Sequence, residues 1–216
     1  MKEKINLSQV IEAIKAAAKK LDKEKRYLDR LDSPIGDGDH GRTINNAFQK
    51  ISSLLEKDKV DNDIGRLLWG IGRTLALSAG AATGPLYGTA FMEAGKVVEG
   101  KSEIGLEELP GMVKAAEEGI KRRGKANVGE KTMLDTLHPA AEALKDSLSK
   151  NLSLKDALQN MKKAAKEGME STRDLISQRG RSSRLGERTK GHIDPGAASC
   201  YFIIEAMVDF LINKLV

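Results

Sequence analysis

The sequence predicts an all-α protein that forms a single domain of about eight helices over residues 1–216, and three observations support this. Ala, Leu, Lys and Glu dominate the composition, whereas aromatic residues make up only 4% of it. Apolar residues recur at spacings of three and four along most of the chain, as on the buried face of a helix. No βαβ alternation, internal repeat or linker interrupts this pattern, and the length suits one sizeable core.

Composition also limits the classes of function. No apolar run seen in the sequence has the length of a membrane span, and the N-terminus lacks the apolar region of a signal peptide. The single cysteine, Cys200, excludes an internal disulfide, so we expect a cytoplasmic protein without a membrane partner. The net charge of +5 permits nucleic-acid binding. We do not expect it, because acids interleave with the basic residues and few aromatics could stack on bases.

The first four helices are predicted from apolar stripes and from capping side chains at their N-termini. Asn, Asp, Ser and Thr accept hydrogen bonds from free backbone N–H groups, so each is favoured just before a helix. Helix one is predicted from Asn6 or Ser8 to about Leu28, and helix two from the residues after Gly41 to about Glu56. Helix three is predicted from Asp61 or Asp63 to Gly80, and helix four begins with Thr83 as its cap and Pro85 in its first turn.

The last four helices are predicted from the same signals, but prolines complicate two of them. Pro110 and Gly111 can break the first turn of helix five, and Pro139 should either kink helix six or mark its first turn. Helix five is predicted from about Leu106 to Arg123, with Gly124 as the stop, and helix six lies somewhere within Thr132 to Leu148. Helix seven is predicted from Ser153 to Leu175, and helix eight from Asp194 to Leu211.

Four glycines lie inside predicted helices three and four, namely Gly70, Gly72, Gly88 and Gly95. Each costs about 1 kcal/mol relative to alanine in a helix interior, so each needs a reason. We expect close packing of the two helices; the alternative is a ligand that approaches the backbone.

The segment 32–41 holds three carboxylates within eight residues, on Asp32, Asp37 and Asp39. Pro34 and the glycines should keep this segment out of a helix, and a helical pattern follows it. Two carboxylates about 4 Å apart repel by roughly 4 kcal/mol at an effective dielectric of 20, so three of them need a cation. Asx-turns or helix capping would use one aspartate rather than three. The segment therefore predicts a Mg²⁺ or Ca²⁺ site facing a helix N-terminus.

Three better-known motifs fit the chain less well. Residues 36–41 match G-x-G-x-x-G, but no hydrophobic strand precedes them, and their carboxylates would repel a pyrophosphate unless a cation lay between. An EF-hand loop counted from Asp37 would place Phe48 where the bidentate Glu belongs. Residues 124–132 resemble a P-loop, but Glu130 is inserted and no strand precedes them. The pattern favours a metal-bridged nucleotide.

Three unusual loops, residues 32–41, 79–85 and 177–196, each precede a predicted helix. If they meet at one end of a bundle, several positively polarised helix N-termini converge there and form an anion site. His40 adjoins the carboxylates and is either structural or a phosphate contact. The third loop is rich in arginine, which binds phosphate bidentately, although a solvated loop could have the same composition. Its arginines are Arg179, Arg181, Arg184 and Arg188.

Several segments, in one order over nearly the whole chain, resemble the nucleotide-binding L domain of dihydroxyacetone kinases. The resemblance implies an antiparallel barrel of eight helices that binds ADP or ATP at one end through two Mg²⁺ ions. The matching segments are residues 31–41, 80–88, 123–126, 129–133, 180–188 and 191–197.

The resemblance also implies roles for particular residues. It makes Asp32, Asp37 and Asp39 the Mg²⁺ ligands, and it gives catalytic roles to His40 and Arg181. The residues implied to line the nucleotide are His40, Gly41, Thr43, Ala82, Thr83, Gly124, Met133, Arg181, Asp194, Pro195 and Gly196.

Partner subunits are implied in the same way. In the family the ketose sits on a K subunit, and in the phosphotransferase-system-dependent form an M subunit's phosphohistidine phosphorylates ADP that stays bound as a cofactor. The chain leaves no room for a K domain, so we expect a stand-alone L subunit. The alternatives left open are exchange of free ATP, another short ketose such as erythrulose, and a non-catalytic module that docks on a transcriptional regulator. A homodimer is also compatible with the sequence.

Overall fold

The computed structural model describes residues 3–57, 62–80 and 83–215, and this part of the chain is predominantly helical. Two short 3₁₀ segments, Thr172–Asp174 and Ser182–Thr189, precede the last helix, and strands β1 (Ile5–Asn6) and β2 (Glu103–Ile104) pair antiparallel. The α-helices in the described part are α1 (Leu7–Asp32), α2 (His40–Lys57), α3 (Ile64–Ser78), α4 (Thr83–Val97), α5 (Leu109–Gly124), α6 (Leu134–Ser149), α7 (Leu154–Ser171) and α8 (Pro195–Ile212).

The helices close into a ring. Each helix contacts the next one along the chain, and α8 returns to pack against α1. The interior is apolar and mostly aliphatic, with Ile14, Leu21, Phe48 and Leu134 among its fully buried side chains, and apolar side chains line a cavity of about 190 Å³. The prediction of an all-α barrel of eight helices is confirmed.

The structure selects Asn6 over Ser8 as the cap of α1, confirms Asp63 and Ser153 as caps, and shows that Asp194 caps α8. The side chains of Asn6, Asp63, Ser153 and Asp194 each accept a hydrogen bond from the backbone N–H three residues later, at 2.9, 3.1, 3.0 and 2.7 Å. These bonds satisfy N–H groups that no earlier helical turn could reach, so they fix where α1, α3, α7 and α8 begin. The alternative start of α3 at Asp61 lies outside the described residues.

Several predicted boundaries were wrong by a few residues. Helix α1 continues through Asp32, so the first of the three aspartates lies on a helix rather than in the loop. Thr83 is the first residue of α4 rather than its cap. Helix α3 ends at Ser78, before Gly80. Local signals leave the terminal turn of a helix undetermined by about one or two residues or more, so such ends are the least certain part of a sequence prediction.

The structure also places the two prolines that complicate α5 and α6. Helix α5 begins at Leu109, and Pro110 sits in its first turn, where a missing N–H does no harm. The helix includes Gly124, and the left-handed residue that ends it is Lys125. Pro139 lies inside α6, beyond its first turn.

Glycines lie where α3 and α4 pack against each other. A Cβ atom on Gly72 would lie 2.5 Å from the carbonyl oxygen of Gly88, and one on Gly95 would lie 2.7 Å from that of Gly65. Close packing therefore explains Gly72, Gly88 and Gly95, as predicted. Gly70 differs, because the space around its missing Cβ is open. This tight seam holds the start of α4 beside the end of α3.

Helix α8 is the most apolar of the described helices. By length and composition it could cross a membrane, with a mean hydropathy of 1.4 over Pro195–Ile212, so the expectation of no such run needs correction. In the fold, 61% of this window is buried, as in the core helix of a bundle. Its composition thus reflects its packing against α1, α6 and α7.

Candidate functional site

The three unusual loops meet at one end of the barrel, as predicted. They line an open pocket of about 420 Å³, with Asp37 from the first loop, Gly80 and Thr83 from the second, and Arg181 from the third. Helices α2, α4 and α8 all begin at this pocket. Their N-terminal N–H groups and dipoles make the pocket favourable for anions.

The three aspartates come together on the wall of this pocket. Ligand oxygens of Asp32, Asp37 and Asp39 all lie within 4.8 Å of one another. Asp32 is buried, and its carboxylate accepts hydrogen bonds from the backbone N–H groups of Asp39 and His40 at 3.0 and 3.2 Å. Asp32 therefore does two things, since it orders the turn into α2 and contributes an oxygen to the trio. Three hard oxygen donors in this geometry suit Mg²⁺ or Ca²⁺.

Arg181 crosses the pocket to the acidic trio. Its guanidinium forms an ion pair with the carboxylate of Asp37, and both side chains are largely exposed. An exposed pair of this kind adds little stability, so its main effect is to place a cationic group beside the carboxylates. The arginine-rich loop therefore faces the site, and Arg179, Arg181 and Ser182 line it.

His40 is held in place by a chain of hydrogen bonds. Its Nε2 lies 2.8 Å from the Ser199 hydroxyl, which in turn lies 2.7 Å from the hydroxyl of Tyr87. Burial lowers the pKa of His40, although the carboxylates of Asp32 and Asp29 act in the opposite direction. At neutral pH the imidazole is therefore neutral, and its orientation at the first turn of α2 is fixed.

Asp194 lines the same pocket. Burial raises the pKa of Asp194 to about 7, and its bond from the Ala197 N–H and the charge of Lys131 offset this only in part. Because it caps α8, it ties the start of that helix to the pocket. The other sequence-predicted lining residues on the pocket wall are Thr43, Met133, Pro195 and Gly196.

Two predicted lining residues lie off the pocket wall, judged over the described residues. Gly41 faces α1, where an added Cβ would lie 2.0 Å from the carbonyl oxygen of Lys25, so helix packing accounts for it. Gly124 is not among the residues that line the pocket, and a Cβ added to it would lie 3.2 Å from the side chain of Leu86. Ala82 is outside the described residues, so its predicted role stays a prediction.

The segment 129–132 supplies contacts that the sequence did not predict. Glu130 accepts hydrogen bonds from the Arg179 guanidinium, Nε at 2.6 Å and Nη2 at 3.0 Å. This pairing lowers the pKa of Glu130 to about 2. Lys131 is buried at the pocket with a left-handed φ of 61°. The sequence signals at this segment were the incomplete P-loop pattern and the family resemblance of residues 129–133, and the structure places Lys131 and Thr132 on the pocket wall.

Fold and site together define a class: an all-α barrel with a bundle-end pocket suited to a metal-bridged anion. Residues 34–209 match the family model for the DAK2 domain. The chain belongs to the DAK2-domain family, among the ADP-binding subunits of dihydroxyacetone kinases.

Relatives of similar length support this placement. The ADP-binding subunit DhaL of the PEP-dependent dihydroxyacetone kinase of Escherichia coli (strain K12) is 41% identical over 184 residues, which are 85% of this chain and 87% of that protein. The ADP-binding subunit DhaL of the PTS-dependent dihydroxyacetone kinase of Lactococcus lactis subsp. lactis (strain IL1403) is 34% identical over 205 residues, 95% of this chain and 98% of that protein.

Solved structures show the same fold within a longer chain. The native dihydroxyacetone kinase of C. freundii superposes with a TM-score of 0.73 at 27% identity, covering 97% of this chain and 35% of that one. The same kinase in complex with AMP-PNP and Mg²⁺ gives a TM-score of 0.70.

Proposed function

We propose that residues 1–216 act as one nucleotide-binding domain, the L subunit of a phosphotransferase-system-dependent dihydroxyacetone kinase. The observation that carries this is the convergence of three carboxylates, three helix N-termini and Arg181 on one pocket. Relatives that this chain matches over most of their length are named ADP-binding subunits of PEP- or PTS-dependent dihydroxyacetone kinases.

The acidic trio is the proposed Mg²⁺ site. Two Mg²⁺ ions held by Asp32, Asp37 and Asp39 would neutralise the phosphates of ADP or ATP, which the carboxylates alone would repel. The donor set fits, because all three residues offer hard oxygens within 4.8 Å of one another. A C. freundii relative has been crystallised with AMP-PNP and Mg²⁺.

The remaining residues would bind and orient the phosphates. The starts of α2, α4 and α8 lie at the pocket, so the positive ends of three helix dipoles would favour the phosphates there. Arg181 would leave Asp37 for phosphate when a metal takes its place, since a guanidinium pairs bidentately with phosphate oxygens. His40 has a lowered pKa and a fixed ring, so it would donate or accept one hydrogen bond as a neutral imidazole.

The proposed partners are two further subunits in the same cytoplasmic system. An M subunit's phosphohistidine would phosphorylate the bound ADP, and the ATP formed would phosphorylate dihydroxyacetone held on a K subunit. The names of the relatives, PEP- or PTS-dependent, support this relay over exchange of free ATP. Erythrulose is a weaker candidate substrate, because the L-erythrulose kinase of Pectobacterium atrosepticum is 31% identical and this chain covers only 31% of it.

Asp37→Ala tests the metal site. Titration calorimetry of ADP, with Mg²⁺ and then with chelator, should show that wild-type affinity requires Mg²⁺. In Asp37→Ala the affinity for ADP in the presence of Mg²⁺ should fall by roughly a hundredfold or more, because one hard ligand and its charge are gone. Chelator should then have little further effect on ADP binding by this variant. The matched control is Asp146→Ala, an exposed aspartate in the last turns of α6, which should bind ADP as wild type does. Unchanged affinity in Asp37→Ala would refute the assignment.

A reconstitution tests the relay. Native mass spectrometry of freshly purified protein should find ADP bound, and phosphate transfer to dihydroxyacetone should require both K and M subunits and phosphoenolpyruvate-derived phosphate. Turnover of free ATP by nucleotide-free protein with the K subunit alone would instead identify an ATP-exchanging kinase.

A further inference from the structure

Lys131 is a buried lysine whose partners are backbone carbonyls. Its side chain is 1% exposed, and its Nζ donates to the carbonyl oxygens of Thr172 and His192. Lysine is almost never fully buried unless it is paired, because removing an ammonium group from water is costly. Its left-handed φ of 61° is also unfavourable for a residue with a Cβ. Both features call for a compensating role.

The two carbonyls stand at the two ends of one segment. Residues 173–191, which we call the arch, leave the barrel after Thr172 and return just before His192. The arch closes on itself where Gly191 N–H donates to the carbonyl of Arg173 at 2.8 Å. It carries Arg181, which reaches the acidic trio.

Further contacts tie the arch to the segment that contains Lys131. Arg179 pairs with Glu130, and the Gln178 N–H donates to the Glu130 carbonyl at 3.2 Å. Glu130 therefore contacts the arch at Gln178 and Arg179, while Lys131 contacts the residues at its two ends, which we call its base. Two adjacent residues thus bind the arch at two separate places.

The charge around Lys131 is unusual as well. Burial lowers the pKa of Lys131, although the carboxylates of Asp194, Asp135 and Asp174 act in the opposite direction. If this position only filled space, an apolar side chain of similar volume would do so without burying a charge. Only a donor with several N–H groups can join two carbonyls twenty residues apart in the chain.

We propose that Lys131 is a positioning residue that clamps the base of the arch and so holds Arg181 over the acidic trio. The effect on nucleotide affinity rests on the proposed function. The clamp itself is a property of the nucleotide-free chain and can be tested separately.

The clamp is tested first without nucleotide. Hydrogen exchange followed by mass spectrometry should show the arch amides of Lys131→Met exchanging roughly ten- to a hundredfold faster than in wild type, because two bonds from a charged donor are lost. Exchange in α1 should stay unchanged. The matched control is Lys190→Met, an exposed lysine within the arch, which should exchange as wild type does. An unchanged arch in Lys131→Met overturns the clamp.

A measurement on wild type covers the case in which Lys131→Met fails to fold. Acetic anhydride labels lysine amines that are exposed. Lys131 should be labelled far more slowly than Lys190, and at the rate at which the arch amides open. Labelling of Lys131 as fast as Lys190 contradicts the proposal.

A double-mutant cycle then tests the link to Arg181. In ADP titrations with Mg²⁺, Lys131→Met should weaken binding about tenfold in the wild-type background and add little in an Arg181→Met background. A general structural defect would weaken binding equally in both backgrounds, which would overturn the positioning role. If wild type binds no ADP, the proposed function fails while the exchange and labelling results still decide the clamp.

Discussion

At the scale of single residues, several side chains of the site have two roles, because each one stabilises the local backbone and also places a polar group on the pocket wall. Asp32 orders the turn into α2 and lines the pocket, and Asp194 caps α8 and lines the same pocket. The fold also changes the ionisation of Asp194. Burial raises its pKa to about 7 from an ordinary value of 3.8.

This shift predicts a pH dependence of stability that Asp194→Asn should remove. Between about pH 4 and pH 7 the unfolded chain has Asp194 ionised while the folded chain keeps it protonated, so its contribution to stability is present at low pH and is lost as the pH rises. Asparagine keeps the cap and carries no charge. The variant should therefore match wild type near pH 4 and exceed it above pH 7, by at most roughly 4 kcal/mol.

Urea unfolding of both proteins from pH 4 to pH 8, with chelator and without nucleotide, measures this difference. Taking the difference between the variants removes the pH dependence of every other group. A difference in unfolding free energy that stays constant over this range would mean that Asp194 titrates normally.

At the scale of elements, the seam between α3 and α4 determines where the second loop lies. Gly72 and Gly88 let the two helix backbones approach closely, since a Cβ added to Gly72 would lie 2.5 Å from the carbonyl oxygen of Gly88, which is closer than a hydrogen-bond donor lies. Gly80 and Thr83, at the pocket end of this seam, line the site. The spacing of the helices is therefore linked to the shape of the pocket.

Gly72→Ala and Gly70→Ala form a matched pair that tests the seam. Alanine at Gly72 would lie 2.5 Å from the carbonyl oxygen of Gly88, so we expect a loss of about 1–3 kcal/mol of stability. Alanine at Gly70 meets open space within the same helix, so we expect a gain of about 0.5–1 kcal/mol from helix propensity. Thermal or urea unfolding compares them, and a change of the same sign in both variants would contradict the packing explanation.

At the scale of the whole molecule, the barrel brings groups from distant parts of the chain into one pocket. His40 and Ser199, which hydrogen bond to each other, are 159 positions apart. A ligand that bridges α2, α4 and α8 should therefore stabilise the entire fold rather than one loop, because it binds the native state alone.

Thermal unfolding with ADP and Mg²⁺ tests this coupling. At a ligand concentration about a hundred times the dissociation constant, the stabilisation is about 2.7 kcal/mol, which should raise Tm by roughly 5–10 °C. Chelator should abolish the increase, since the carboxylates then repel the phosphates. An equal increase from ADP with and without chelator would show that the acidic trio does not act through a metal.

The sequence by itself determined the features that depend on neighbouring residues. The helical period, the caps at Asn6, Asp63, Ser153 and Asp194, and the crowding of Asp32, Asp37 and Asp39 are all local, and the structure bears them out. The predicted helix ends were less accurate, as at Asp32 and Pro110, because local sequence changes the free energy of a terminal turn only slightly.

Only the tertiary structure decided which distant groups meet. The Ser199–His40 bond, the Glu130–Arg179 pair and the carbonyls that bind Lys131 join positions 41 to 159 residues apart. No local pattern encodes such pairs, because they depend on the angle and spacing at which whole helices pack. Gly72 and Gly70 illustrate the difference: they are alike as residues in one helix, yet only the neighbouring helix decides that the first one must be glycine.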